Sequence, residues 1–121
     1  KARFQPAPTA YAYPSHLLRV SYTGHFGEII AAILPCYWLY REIGERLRGA
    51  QPEEPIYREW IAAYGGDWFG ELVREQIERL DEWAERVSER DRERMKRHFL
   101  ISSRYELMFW EMAYRRESWP A

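Results

Sequence analysis

The predicted architecture depends most on the stretch Pro35-Cys36-Tyr37-Trp38-Leu39-Tyr40, because a helical pattern continues through it in spite of its proline. Apolar residues recur at helical spacing over the range of about Phe26–Arg48. Pro35 removes one hydrogen bond from that helix and is expected to bend its axis just before Cys36. Cys36, the only cysteine of the chain, is four residues before Tyr40. The two residues lie one helical turn apart, so their side chains are expected to be neighbours.

Four further helices are expected on either side of this one, and no segment shows a convincing strand-like alternation. Their expected ranges are about Ala10–Tyr22, Pro55–Ala63, Trp68–Val87 and Glu89–Tyr114. The turns between helices are marked by Gly24, Gly49, Pro52 and Gly65-Gly66, while Pro14 is expected to kink or tighten the first helix. Five helices joined by short connections predict an all-α fold, an antiparallel helical bundle.

Three polar residues stand where a side chain could cap a helix N-terminus. Thr9, Asp67 and Ser88 each come directly before or at the start of a helical pattern. Asp91, three residues after Ser88, makes a weak variant of the capping box. These residues are expected to set the boundaries of the first, fourth and last helices.

Composition limits the classes of function. The chain has 121 residues and a net charge of −1, so it forms one small domain at most and has no electrostatic preference for nucleic acid or an anionic membrane. One cysteine cannot form an internal disulfide, and the spacing of the three histidines does not suggest a zinc site. No apolar run reaches the roughly 18 residues of a membrane span, and no signal peptide is evident, so a cytoplasmic protein without a metal or other cofactor is expected.

Helical geometry predicts which side of the second helix faces inward. At 100° per residue, one group of residues falls within about 40° of Ile33, and Cys36 falls about 60° from it. The group is Phe26, Ile29, Ile33, Tyr37, Tyr40, Gly44 and Leu47. On the fourth helix the expected inward residues are Trp68, Leu72, Ile77, Leu80, Trp83 and Val87.

A carboxylate interrupts the inward stripe of the last helix. That stripe consists of Met95, Phe99, Ser102, Phe109, Trp110 and Ala113, and Glu106 falls in its centre. Burial disfavours an ionised carboxylate, so the pKa of Glu106 is expected to rise unless a cation meets it, which would suit it to give and take a proton near neutral pH. Several tyrosines could line a pocket for a flat ring: Tyr11, Tyr13, Tyr37, Tyr40, Tyr64 and Tyr105.

Each of these residues also has a structural interpretation. Cys36 could be inert packing, since unpaired cysteines are often buried for reasons unrelated to reactivity. Glu106 could pair with Arg41 or Arg104, and each tyrosine could belong to the core with its hydroxyl satisfied. Periodicity alone leaves these alternatives open.

The chain resembles the thiaminase II (TenA) family, in four sequence blocks that occur in the family's order and spacing. The blocks are Pro8-Thr9-Ala10-Tyr11-Ala12-Tyr13, Leu34-Pro35-Cys36-Tyr37-Trp38-Leu39-Tyr40, Tyr64-Gly65-Gly66-Asp67-Trp68-Phe69 and Ser102-Ser103-Arg104-Tyr105-Glu106-Leu107-Met108-Phe109-Trp110. The resemblance implies a haem-oxygenase-like helical fold without haem, in a homo-oligomer that is usually a tetramer. It also implies hydrolysis of thiamin, or of its aminopyrimidine breakdown product, to hydroxymethylpyrimidine in thiamin salvage.

The resemblance further implies roles for particular residues. Cys36 matches the family's nucleophile, Glu106 its acid/base carboxylate, and Tyr40 the tyrosine beside the thiol. Tyr64 matches an aromatic that stacks on the pyrimidine, and Tyr13 a phenol near the leaving group. Tyr37 and Phe109 are expected to line the same substrate pocket.

The family domain has several helices ahead of the position at which Lys1 stands, and those helices supply an aspartate and a second stacking aromatic. Residues 1–121 are therefore expected to be either a single domain or the C-terminal portion of one TenA-like domain, with the N-terminal helices absent. A second hypothesis is a truncated, non-catalytic helical module that packs against a partner chain.

Overall fold

A computed structural model describes residues 3–121, and the regular structure in this range consists of five α-helices. Their bounds are α1 Pro8–Thr23, α2 Phe26–Arg46, α3 Pro55–Tyr64, α4 Asp67–Arg86 and α5 Glu89–Arg115. The predicted number and order of helices are confirmed, and the all-α class with them. Pro14 and Pro35 both lie inside helices that continue on either side of them.

Helix α2 forms the centre of the fold, because it packs against each of the other four helices, and most extensively against α5. Its buried residues include small ones, Ala31 and Ala32, beside Ile30 and Leu34. Small side chains let neighbouring helices approach α2 closely. Tyr13 and Val20 of α1, Val73 of α4 and Met95 of α5 complete the core.

The predicted inward face of α2 is largely wrong. Phe26 and Leu47 are 51% and 42% exposed, and the other large members of that face are only half-buried, whereas the fully buried residues other than Gly44 lie on another side of the helix. The buried set is Gly27, Glu28, Ile30, Ala31, Ala32, Leu34, Pro35 and Gly44. The prediction centred the inward face on Ile33, but contact with four neighbouring helices buries the side of α2 that carries Ile30, Ala31 and Leu34.

The other two predicted stripes are partly correct. On α5, Met95, Ser102 and Glu106 are buried as expected, whereas Phe109 and Trp110 are 38% and 46% exposed. Exposure increases toward the C-terminal end of α5, where Ala113 is also exposed.

On α4, Trp68 was expected to face inward but is 76% exposed. The buried residue of this helix is Val73, which the predicted stripe omitted.

Two of the three predicted caps are wrong. The predicted cap at Ser88 is confirmed, since its hydroxyl accepts a hydrogen bond from the Asp91 N–H at 3.1 Å. Helix α1 instead begins at Pro8, so Thr9 lies inside it, and both its N–H and its hydroxyl donate to the Glu117 carboxylate, at 2.7 and 3.0 Å. Asp67 is the first residue of α4 rather than its cap, where its negative charge still favours the helix N-terminus.

A capping box that the sequence pattern did not suggest begins α2. His25 is the N-cap, and its ring Nδ1 accepts a hydrogen bond from the Gly27 N–H at 3.1 Å. The Glu28 carboxylate accepts the His25 N–H at 2.9 Å in return. Histidine is absent from the usual Ser/Thr-x-x-Glu signature, which explains why the box was missed.

A close backbone contact fixes α2 against the turn between α3 and α4. A Cβ atom on Gly44 would lie 2.5 Å from the Gly65 nitrogen, so only glycine fits there. Arg41 crosses the same junction and donates to the Gly66 carbonyl at 2.7 Å. These contacts hold Tyr64 against α2.

Among residues 3–121, none of the helices combines the length and the apolar character needed to cross a bilayer.

Candidate active site

A cavity of about 210 Å³ lies between α1, α2 and α5. Its lining residues are Ala10, Tyr13, Pro14, Cys36, Tyr40, Glu106 and Phe109. Five of the seven residues named from the sequence therefore meet at one cavity, although they come from three helices. The structure places the thiol, the carboxylate and two phenols around the same space.

Glu106 is only 4% exposed, and its carboxylate accepts a hydrogen bond from Tyr13. The Tyr13 hydroxyl donates to Glu106 Oε1 at 2.6 Å. No lysine, arginine or histidine of residues 3–121 forms an ion pair with this carboxylate. The alternative in which Arg41 pairs with Glu106 is excluded in the described range, because Arg41 binds Gly66 and Glu45 instead.

Tyr13 remains a protonated donor. Burial raises the pKa of its hydroxyl, and the adjacent Glu106 carboxylate raises it further. Its ring stacks on Tyr105, with centroids 5.4 Å apart and planes at 12°. Stacking fixes the direction from which the hydroxyl approaches the carboxylate.

Cys36 is exposed at the cavity, so a ligand in the cavity can reach its sulfur. The surrounding protein nevertheless removes enough water that burial raises the thiol pKa, and the Glu106 carboxylate raises it further. The resting form is therefore the thiol. A proton acceptor must act before the sulfur can attack a substrate, and Glu106 is the carboxylate that faces it.

Tyr40 lies between the cavity and an aromatic cluster. Burial and then the Glu106 carboxylate raise the pKa of its hydroxyl to about 12, so it too is a neutral donor at pH 7. Its ring centroid is 5.9 Å from that of Trp60, 5.2 Å from Tyr64 and 6.0 Å from Trp110. Contacts on several sides restrict the tyrosine to one orientation.

Two predicted substrate-binding residues lie outside this cavity as residues 3–121 form it. Tyr64 packs behind Tyr40 and makes an edge contact with Phe69, with ring centroids 5.1 Å apart. Tyr37 is half-buried on α2 and does not line the cavity. Tyr11 points elsewhere as well, since it is 61% exposed and packs against Trp119.

Sequence reasoning missed Ala10 and Pro14, which line the cavity beside Tyr13. They are four residues apart on α1, so a helical projection of that short helix would have placed them on one side with Tyr13. Their small, apolar surfaces leave space next to the thiol and carboxylate.

The arrangement suits nucleophilic addition to an electron-poor ring. A thiol and a buried carboxylate can exchange a proton, and two neutral phenols can donate hydrogen bonds to a substrate. Phe109 adds an aromatic wall that is 38% exposed at the cavity rim.

Comparison with known proteins identifies relatives of this chain. The model of the TENA/THI-4/PQQC family matches residues 2–116. An "Aminopyrimidine aminohydrolase" of Bacillus subtilis is 57% identical over 116 residues, which cover 96% of this chain and 49% of the relative. Another of that name, from Halalkalibacterium halodurans, is 42% identical over 117 residues, covering 95% of this chain and 52% of the relative.

Solved structures of TenA homologues are also similar to this chain. A "TenA homologue protein from P.horikoshii OT3" superposes with a TM-score of 0.83 at 32% identity, over 93% of this chain and 52% of that chain. The chain spans about half the length of the curated relatives that it matches.

Proposed function

The chain belongs to the TENA/THI-4/PQQC family, and from that premise we propose that the protein is an aminopyrimidine aminohydrolase of the thiaminase II type. Its substrate is an aminopyrimidine or thiamin, and its pyrimidine product is the hydroxymethylpyrimidine used in thiamin salvage. The observation that carries the proposal is the meeting of Cys36, Glu106, Tyr13 and Tyr40 at one cavity, in a chain 57% identical to a relative of that name.

The first step is addition of sulfur to the pyrimidine ring. Glu106 accepts the proton of the Cys36 thiol, and the resulting thiolate forms a bond to a ring carbon. The proton then passes from Glu106 to a ring nitrogen, which takes the electron pair displaced by the new bond. Burial of the carboxylate beside the thiol supports this transfer, because the charge moves between two groups in one water-poor space.

The second stage exchanges the leaving group for water. The amine, or the thiazole of thiamin, leaves the exocyclic carbon with its bonding electrons, and the amine gains a proton as it departs. Water adds to the exocyclic carbon and gives up a proton. Elimination of the sulfur then restores the aromatic ring and the Cys36 thiol, so that for an aminopyrimidine the net reaction consumes one water and releases ammonia.

The two phenols position and polarise the reacting groups. Tyr13 donates to Glu106 and so holds one carboxylate oxygen, leaving the other for the thiol and the substrate. Tyr40 supplies a second neutral donor beside the sulfur. Phe109 gives the pyrimidine an aromatic wall at the rim, and Tyr64 and Tyr37 are assigned to substrate binding by family resemblance.

Location and assembly are also proposed from the family. We place the protein in the cytoplasm as a homo-oligomer, with a tetramer as the expected form. Large aromatic side chains exposed at the surface, including Trp68 at 76% and Phe26 at 51%, support contact with further polypeptide. Light scattering coupled to size exclusion will measure the mass.

Turnover by the full-length protein tests the activity. We expect incubation with an aminopyrimidine or with thiamin to release hydroxymethylpyrimidine, detected by chromatography, and the faster of the two reactions identifies the preferred substrate. Absence of product from both substrates, in a preparation whose circular dichroism is helical, would favour the non-catalytic helical module instead.

A further inference from the structure

A second cavity, of about 420 Å³, lies on the α1–α5 side of the molecule near the start of α2. Charged and titratable side chains dominate its wall, and those that matter here are His16, Arg19, Glu28, Arg94, Arg97 and His98. Along α5, His98 precedes Glu106 by eight residues, or about 12 Å of helix. This cavity shares no lining residue with the one that contains Cys36.

The ion pairs of the wall leave an excess of positive charge. Glu28 Oε1 lies 3.2 Å from Arg94 Nε and 3.2 Å from His98 Nε2, and Arg94 also pairs with Asp91. Within the described part of the chain, Arg19 and Arg97 form no ion pair. Two guanidinium groups therefore face the cavity without a carboxylate to balance them.

Two imidazole rings, those of His16 and His98, also line the cavity. His98 Nδ1 is buried and has no hydrogen-bond partner among residues 3–121. His16 Nε2 lies 3.1 Å from the Ser102 hydroxyl, and its ring is tilted toward that of His98, with centroids 6.0 Å apart. Because His98 Nε2 donates to the Glu28 carboxylate, Nδ1 of the neutral ring is an acceptor, and the arginines are the cavity groups that can bind an anion.

We propose that this cavity binds a phosphate-type dianion, either inorganic phosphate or a small phosphomonoester. Arg19 and Arg97 hold the oxygens through their guanidinium groups, whose planar donor pairs match the geometry of a phosphate. Glu28 stays engaged with Arg94 and His98 at the edge of the site. The cavity is large enough for a phosphate group that carries a small organic substituent.

Titration calorimetry on the full-length protein tests the proposal, with inorganic phosphate and glycerol 2-phosphate as probes at constant ionic strength. We expect the double variant Arg19→Gln/Arg97→Gln to lose affinity for both probes by at least about tenfold, because two charge-assisted contacts are removed. The matched control is Arg74→Gln/Arg79→Gln, which removes the same charge from exposed positions of α4. Its affinity should equal that of the wild type.

The two probes distinguish the sources of the ligand. Tighter binding of the ester identifies a phosphomonoester site, and tighter binding of inorganic phosphate identifies a free-phosphate site. Equal loss of affinity in both double variants would show that only the net charge of the protein matters, and this would overturn the proposal. So would undetectable binding of both probes to the wild type, or an equal heat of binding from chloride.

Discussion

Glu28 and Glu106 are both buried carboxylates, each 4% exposed, but their neighbours differ. Glu28 lies in the first turn of α2, where it accepts the His25 N–H and contacts Arg94 and His98. Glu106 lies on α5 and meets a phenol and a thiol, with no ion pair in the described range. One carboxylate is surrounded by cations and the other by groups that exchange protons.

The difference separates a structural carboxylate from a chemical one. Burial alone would raise the pKa of Glu28, but the His25 N–H, His98 and Arg94 together lower it below its ordinary value of 4.5. Glu28 is therefore fixed as an anion that holds the start of α2 against α5. The negative charge of Glu106 instead affects its neighbours, because it raises the pKa values of Cys36, Tyr13 and Tyr40.

The largest expected effect belongs to the sulfur beside Glu106. We expect Cys36→Ser to lower turnover of the aminopyrimidine by about 10³-fold or more, because a hydroxyl is a far weaker nucleophile at neutral pH. Steady-state release of hydroxymethylpyrimidine measures the effect, and circular dichroism checks the fold. Turnover equal to that of the wild type would remove the nucleophile assignment.

Neutralising Glu106 should cost almost as much activity but little stability. Glu106→Gln keeps the shape and still accepts the Tyr13 hydroxyl, yet it cannot carry a proton, so a loss of about 10²–10³-fold in turnover is expected. Thermal unfolding should change little, since no ion pair is broken. A fully active Glu106→Gln enzyme would show that Glu106, like Glu28, has a structural role only.

The same substitution at Glu28 should act on stability. Glu28→Gln leaves Arg94 and His98 without their buried anion, and we expect a loss of about 2 kcal/mol in the free energy of unfolding, measured by urea titration. The lowered pKa fixes the sign: this stabilisation is present above pH 4.5 and is lost as pH falls through the folded-state pKa. Wild type and variant should therefore converge in stability under acid, and a constant difference down to low pH would contradict the ion-pair account.

A smaller effect is expected at the phenol that holds Glu106. Tyr13→Phe keeps the stack on Tyr105 but removes the 2.6 Å hydrogen bond, so turnover should fall about tenfold. Tyr22→Phe is the matched control, because Tyr22 lies on the same helix and is 87% exposed. Equal activity of the two variants would mean that Tyr13 only packs.

The sequence pattern predicted the buried carboxylate of Glu106 but not that of Glu28, and the difference has a physical reason. Glu106 was found because it breaks an apolar stripe, a signal that a helical projection detects. Glu28 was missed because its cap partner is His25, and its cationic partners Arg94 and His98 come from a helix about 70 residues further along the chain.

The helices themselves were predicted well, since glycine and proline mark their ends locally. The buried face of α2 was not predicted correctly. It depends on which helices pack around α2, and no local sequence pattern contains that information. Tyr64 illustrates the limit: its position behind Tyr40 follows from the contact between Gly44 and Gly65, across two helices.

The smallest effect isolates the electrostatic influence of Glu106 on the thiol. Burial and the Glu106 carboxylate both raise the pKa of Cys36 above its ordinary value of 9.0, so alkylation by iodoacetamide should increase with pH through a midpoint above that value. In Glu106→Gln the charge is gone but the burial remains, so the midpoint should move down without passing below 9.0. Glu78→Gln, at an exposed position of α4, is the control and should leave the midpoint unchanged. A midpoint that is the same in Glu106→Gln and in the wild type would show that burial alone sets the thiol pKa, and Glu106 would then not be the group that receives its proton.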